Sequence, residues 1–145
     1  MTLAPMLSQI LDGEDFPAPA SMLKIGPARA SHRPPAAPYD ILTNVAHAVY
    51  WQDHWLAGLH GLPRKSGVDL WQGDWRQPAP DEFPTLRSQL VHGLKEARTL
   101  AAAEPTPDQA DLLFRIALHT SYHLGQINLL KRMSTHPHPI PKPEA

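Results

Sequence analysis

Apolar side chains return at steps of three and four along three stretches of the chain, the spacing that lines one face of an α-helix. Ile41, Val45, Ala48, Trp55 and Leu59 form the first set. Phe83, Leu86, Leu90, Leu94, Ala97 and Ala101 form the second, and Leu112, Ile116, Ile127 and Leu130 the third. A shorter run of Leu3, Met6, Leu7, Ile10 and Leu11 predicts a weaker helix at the N-terminal end. Alternation with a period of two is thin throughout, and only the segment 67–76 reads as extended or coiled.

The prolines draw the same boundaries. Proline lacks the backbone donor and clashes with the preceding helical turn, so long helices fit only where it is absent. The long proline-free windows are 39–62, 85–104 and 108–136, with shorter gaps at 6–16 and 64–77. Asp40 is a good N-cap for the first window, and Gly61 ahead of Pro63 is a stop signal. Asp81 is read as the cap of the second, with Pro84 tolerated in its first turn. Thr106, Pro107 and Gln109 open the third as a capping box with proline at the first helical position. Helices are therefore predicted at 3–11, 40–60, 81–103 and 107–133. Each has one face to bury, which makes an all-α four-helix bundle with Pro-rich connecting loops over residues 1–134, followed by a fraying Pro/His-rich tail at 135–145.

Composition narrows the partners. The 145 residues are 42% hydrophobic and 19% charged, as in one compact soluble domain. Thirteen basic against 14 acidic side chains give a net charge of −1, and no basic run supplies the stripe that a phosphate backbone needs, so nucleic acid is excluded as a partner. No apolar stretch approaches the roughly 18 residues of a membrane span, and the opening Met-Thr-Leu-Ala-Pro does not read as a signal peptide, so a cytoplasmic protein without a membrane partner is expected. The absence of cysteine excludes a disulfide framework, a thiolate metal site and a cysteine nucleophile. A metal here must be held by nitrogen or oxygen.

Nine histidines are the candidate donors. His32, His136 and His138 fall in Pro-rich loops and read as solvated, the last two with some capacity to scavenge nickel or copper. His60 ends a predicted helix, where an imidazolium suits the dipole, and His92 faces away from its apolar stripe. His119 and His123 differ. They lie one turn apart near the centre of the third stripe, with Cβ atoms about 5 to 6 Å apart, close enough for both rings to reach one ion at about 2.0 to 2.1 Å. With no buried carboxylate evident beside them, a shared metal ion is favoured over a pair of hydrogen-bonded neutral histidines. A third ligand must come from the 40–60 helix, where His47, flanked by Asn44 and Trp51, and His54 both sit at the edge of the apolar face. Helical geometry leaves that choice open. The His-Thr-Ser-Tyr-His segment lacks the glutamate of a zincin, and no Glu-x-x-His suits a carboxylate-bridged di-iron centre.

The segment His119-Thr-Ser-Tyr-His123-Leu-Gly-Gln-Ile-Asn-Leu-Leu-Lys-Arg132 resembles the C-terminal signature of the DinB/YfiT-like superfamily of metal-binding four-helix bundles. Asn44-Val-Ala-His47-Ala-Val-Tyr-Trp51 is similar to that superfamily's second-helix motif. The resemblance implies that His47, His119 and His123 are the metal ligands, with water in the remaining positions, and so selects His47 over His54. It also implies a divalent ion, zinc or nickel, a homodimer, and a small-molecule substrate, with low-molecular-weight thiol transferases and related isomerases among the characterised members.

Three neutral imidazoles leave a divalent ion its full charge, enough to bring bound water to a pKa of about 7 or to deprotonate a bound thiol. Without a protein cysteine, the thiol must be external, such as glutathione, bacillithiol or mycothiol. Two functions stay open. One is a metal-dependent enzyme, thiol S-transferase-like or hydrolase-like. The other is a non-catalytic, stress-associated metal-binding bundle, supported by the lack of a recognisable acid or base next to the ligands. Of the ligands' neighbours only Gln126 shares their face, as a hydrogen-bond partner behind them or as helix packing; Tyr122 does not. Trp51 reads as core, and Gly125 as a site of close helix approach. Trp51, Trp55, Trp71 and Trp75 form an aromatic surplus that either supports the homodimer or covers the ends of the core.

Overall fold

The structure, a computed structural model, describes residues 3–135, and these are helical without any strand. The helices are α1 (Ala4–Asp12), α2 (Pro19–Met22), α3 (Pro27–Ala30), α4 (Ile41–Leu59), α5 (Gly67–Gln72), α6 (Phe83–Ala102) and α7 (Pro107–Thr135), with a 3-10 turn at Pro80–Glu82. The four predicted helices are α1, α4, α6 and α7. The short α2, α3 and α5 were not expected. Pro19 and Pro27 stand at the start of α2 and α3, where a missing N–H costs nothing, so these prolines open helical turns rather than break them. The segment read as extended or coiled is instead helical over Gly67–Gln72. The tail residues 136–145, including His136 and His138, lie outside the described residues.

Cap chemistry explains the boundaries. The Asp40 carboxylate accepts from Thr43 N–H at 2.7 Å and starts α4. Thr106 N–H donates to Gln109 Oε1 at 2.9 Å while Gln109 N–H donates to Thr106 Oγ1 at 3.3 Å, the reciprocal capping box expected for α7. The expected cap at Asp81 is displaced. Asp81 is part of the 3-10 turn, whose Glu82 accepts from Ala79 N–H at 2.7 Å and pairs with Arg76 at 2.9 Å, so α6 begins two residues later at Phe83.

The core sits where α4 packs between α6 and α7, with α1 closing against α6 and α7. Residues 41–49 of α4 are buried without interruption, so this half of the helix has no solvent face. Gln52 of α4 donates to Leu90 O of α6 at 3.1 Å. Buried Gly93 makes this crossing fit, since a Cβ there would collide with the Gln52 carboxamide. Gly125, expected to play that part, is exposed with nothing within 4 Å of a Cβ position. No helix among the described residues is long and apolar enough to cross a membrane.

The unbroken burial of α4 takes Thr43, Asn44 and His47 inside with the apolar residues. Buried polar groups need partners. Those of Asn44 and His47 converge on one place.

Candidate metal centre

Asn44, His47 and Trp51 share a face of α4 at steps of three and four, and His119, His123 and Gln126 share a face of α7 in the same way. Packing of α4 on α7 sets these faces against each other. His119 Nε2 lies 3.2 Å from His47 Nε2 and 3.1 Å from His123 Nε2. Ligand atoms of the three histidines all fall within 4.8 Å of one another, an arrangement that could hold a metal ion. Nitrogens at about 2.0 to 2.1 Å around one tetrahedral ion would be about 3.3 Å apart, close to the two spacings observed.

The opposite ring nitrogens are pinned from behind. His123 Nδ1 is 2.7 Å from Asn44 Oδ1, and His47 Nδ1 hydrogen-bonds Asp74 Oδ1. Both partners accept, so both Nδ1 atoms donate and both Nε2 atoms present lone pairs. The orientation of Asn44 is consistent, because its Nδ2 donates to Gln126 Oε1 at 3.0 Å, which also accepts from Tyr39 OH at 2.9 Å. Gln126 therefore acts behind the ligands, through Asn44.

The Asp74 side chain is only 7% exposed, and both of its oxygens have partners. Its Oδ2 accepts from the Trp51 indole N–H at 3.1 Å, and its Oδ1 also accepts from Trp75 N–H at 2.9 Å. Trp51, expected as core, is half-buried and orients this carboxylate. The Trp75 ring stacks on His47 with centroids 3.7 Å apart and planes 16° from parallel, and Tyr39 stacks on Trp75 at 4.8 Å. Trp75 has φ of 54°, a left-handed conformation that costs strain in a bulky residue.

Burial sets the protonation state. It lowers the His119 pKa to about 3, helped by the neighbouring His123 and His47, and the His123 pKa to about 4, helped by His47. His47 is lowered by burial too, with Asp74 opposing. All three are neutral at pH 7, the form that binds metals. Proton counting then leaves the cluster short of donors. With both His47 and His123 protonated at Nδ1, a single N–H on His119 Nε2 is the one proton available to two facing lone pairs, whereas one cation would satisfy all three nitrogens. An all-imidazole set suits zinc, copper, iron or nickel and suits calcium and magnesium poorly.

The remaining described histidines stand apart from this group. His54 is half-buried with its ring 5.6 Å from Trp51. His60 caps the end of α4 and pairs with Glu96 of α6, and His32 and His92 are exposed.

Asp74, Trp75 and Tyr39 were missed from sequence, and the expectation of no buried carboxylate beside the pair is corrected by Asp74. It is remote from every helical register, 27 residues beyond its partner His47. The local signal is Gly73. A Cβ there would collide with the Tyr50 ring, whose hydroxyl donates to Leu70 O at 2.6 Å, so only glycine lets the segment after α5 lie flat on α4 and deliver Asp74. Comparison of the chain with protein-family models, curated proteins and solved structures finds no significant match.

Proposed function

We propose that the chain is a DinB-like four-helix bundle that binds a divalent metal ion, zinc or nickel, through His47, His119 and His123, and that it is a cytoplasmic enzyme activating an external thiol or a water against a small electrophile. The observation that carries this is the convergence of three Nε2 atoms whose partners behind the rings, Asp74 and Asn44, leave the lone pairs facing one another. Bound there, a divalent ion supplies Lewis acidity, bringing a coordinated water to a pKa of about 7 or favouring a thiolate. The chain's own residues orient and enclose. Asp74 holds the proton on His47 Nδ1, Asn44 holds that on His123 Nδ1, and the Trp75 ring covers one face of His47 and keeps water from it. His119 is the least buried of the three, which makes its side the approach for a small molecule.

A second function, a non-catalytic metal-binding bundle, is favoured by one specific feature. Both oxygens of Asp74 already accept hydrogen bonds, from His47, Trp51 and Trp75, so the nearby carboxylate serves to orient these groups and not as a free general base. Metal analysis of untagged protein, followed by turnover of monochlorobimane with a panel of low-molecular-weight thiols, separates the two. Stoichiometric zinc or nickel with thiol-dependent turnover supports the enzyme. Stoichiometric metal without turnover of thiol or hydrolytic substrates leaves the structural bundle, and protein that neither retains nor binds either ion refutes both.

A further inference from the structure

A cavity of about 620 Å³ opens beside the metal centre, on the side of Tyr39 and Trp75. Its size falls within the range of about 300 to 1,000 Å³ typical of small-molecule sites. Its walls come from the loop after α3, the start of α4 and the segment after α5. Thr43, on the cavity wall, lies one turn before His47, about 6 Å along α4. The cavity therefore neighbours the three histidines without including them.

Two charged residues line this space, Arg33 and Asp40, and they are of opposite sign. They do not pair with each other, and exposed Arg33 has no partner among the described residues. Asp40 is only 3% exposed. Its Oδ1 accepts from Thr43 N–H at 2.7 Å, but its Oδ2 has no partner among the described residues. The hydroxyl of Thr43, a residue 8% exposed, has none either. Buried polar groups are normally satisfied, and a buried carboxylate is costly unless it is paired. Capping α4 does not by itself call for the charge, because a neutral Asn or Ser caps as well. The positive end of α4 offsets part of the cost, and Oδ2 remains open toward the cavity.

The pairing of signs narrows the occupant. A simple anion drawn to Arg33 would meet the Asp40 carboxylate, and a simple cation drawn to Asp40 would meet the guanidinium. A molecule that carries both charges satisfies both walls at once. We propose that this cavity binds a small zwitterion of the α-amino-acid class. Its carboxylate accepts from Arg33, and its ammonium donates to Asp40 Oδ2 and to the Thr43 hydroxyl. Pro38 and the exposed part of Trp75 give its side chain an apolar wall. The site is separate from the three histidines and stands whether or not they hold a metal.

Isothermal titration calorimetry of the full chain in excess chelator, with the individual amino acids as probes, is expected to show saturable binding of at least one of them. Propionate and propylamine, with one charge each, should bind at least about tenfold more weakly. Arg33→Gln and Asp40→Asn should each weaken amino-acid binding about 10- to 100-fold. Asn caps a helix as Asp does, and Arg33 is exposed without a partner, so both variants should keep the helical circular dichroism of the wild type. His119→Ala should lose metal and bind the amino acid as the wild type does, so failure of the metal site and failure of this cavity are read separately. The inference is overturned if no amino acid binds, if propionate or propylamine binds as tightly, or if Arg33→Gln leaves the affinity unchanged.

Discussion

Asp74 accepts the Nδ1 proton of His47, a contact between a helix and a segment 27 residues away that determines which nitrogen of His47 faces the other two histidines. Such carboxylate–imidazole pairs raise ligand basicity and fix the ring, and losing one costs a metal site roughly 10- to 100-fold in affinity. Asp74→Ala should therefore weaken zinc binding within about that range, measured by competition with a chromophoric chelator. Asp74→Asn, which keeps an acceptor oxygen but not the charge, should fall between the variant and the wild type. Unchanged affinity in Asp74→Ala would show that the pairing does not serve the site.

Replacement of any ligand should cost more than replacement of Asp74. His47→Ala, His119→Ala and His123→Ala each remove one of three converging nitrogens, while His54 and His92 contribute none. Metal content of the purified proteins is expected to fall sharply in the first three and to match the wild type in His54→Ala and His92→Ala. Equal metal content and equal thermal shift with metal across all five would refute the three-histidine site.

The parts of this molecule visible in sequence are those carried by a single helix. The apolar steps, the Asp40 cap and the Thr106/Gln109 box mark α4 and α7 because they depend on residues three or four apart. His119 and His123 are visible for the same reason. What helical spacing alone does not show depends on contacts between segments distant in sequence: the choice between His47 and His54, made in sequence only by the resemblance, turns on the rotation of α4 against α7, and Asp74 reaches the site only through the Gly73 approach to Tyr50. The prolines misled in one respect, since Pro19 and Pro27 start short helices that a map of breaks does not contain. Gly125 was expected at a close helix approach and Gly93 holds that place, because nothing local distinguishes a glycine under a crossing helix from one on an open face.

The close approach at Gly93 is testable. A methyl group there would meet the Gln52 carboxamide, whose Nε2 is held by Leu90 O at 3.1 Å, so the side chain cannot retreat without losing its buried hydrogen bond. Overpacking of this kind costs about 1 to 3 kcal/mol, which outweighs the gain of about 1 kcal/mol in helix propensity from Gly to Ala. Gly93→Ala should lower the urea midpoint with little change in slope. Gly93→Ala combined with Gln52→Ala should recover part of the loss, because the clash is gone, and a stabilised Gly93→Ala would show that the two helices cross with room to spare.

Acid should destabilise the metal-free protein through the same histidines that hold the metal. In the unfolded chain an imidazole titrates near its usual value of about 6.5, whereas in the fold burial holds His119 at about 3 and His123 at about 4. Between these limits the unfolded state takes up protons that the folded state refuses, so stability rises with pH across that window. It is complete above about pH 6.5 and is lost progressively as the pH falls through the folded values. Urea unfolding in chelator at a series of pH values should show this decline, with a shallower slope in His119→Ala, which has one buried imidazole fewer. Saturating metal should stabilise the protein further at neutral pH, by about 2.7 kcal/mol at one hundred times Kd. The increment should vanish on acidification, since each ligand must be unprotonated to bind. Parallel pH profiles for wild type and His119→Ala, with and without metal, would mean that these imidazoles neither resist protonation in the fold nor bind the ion.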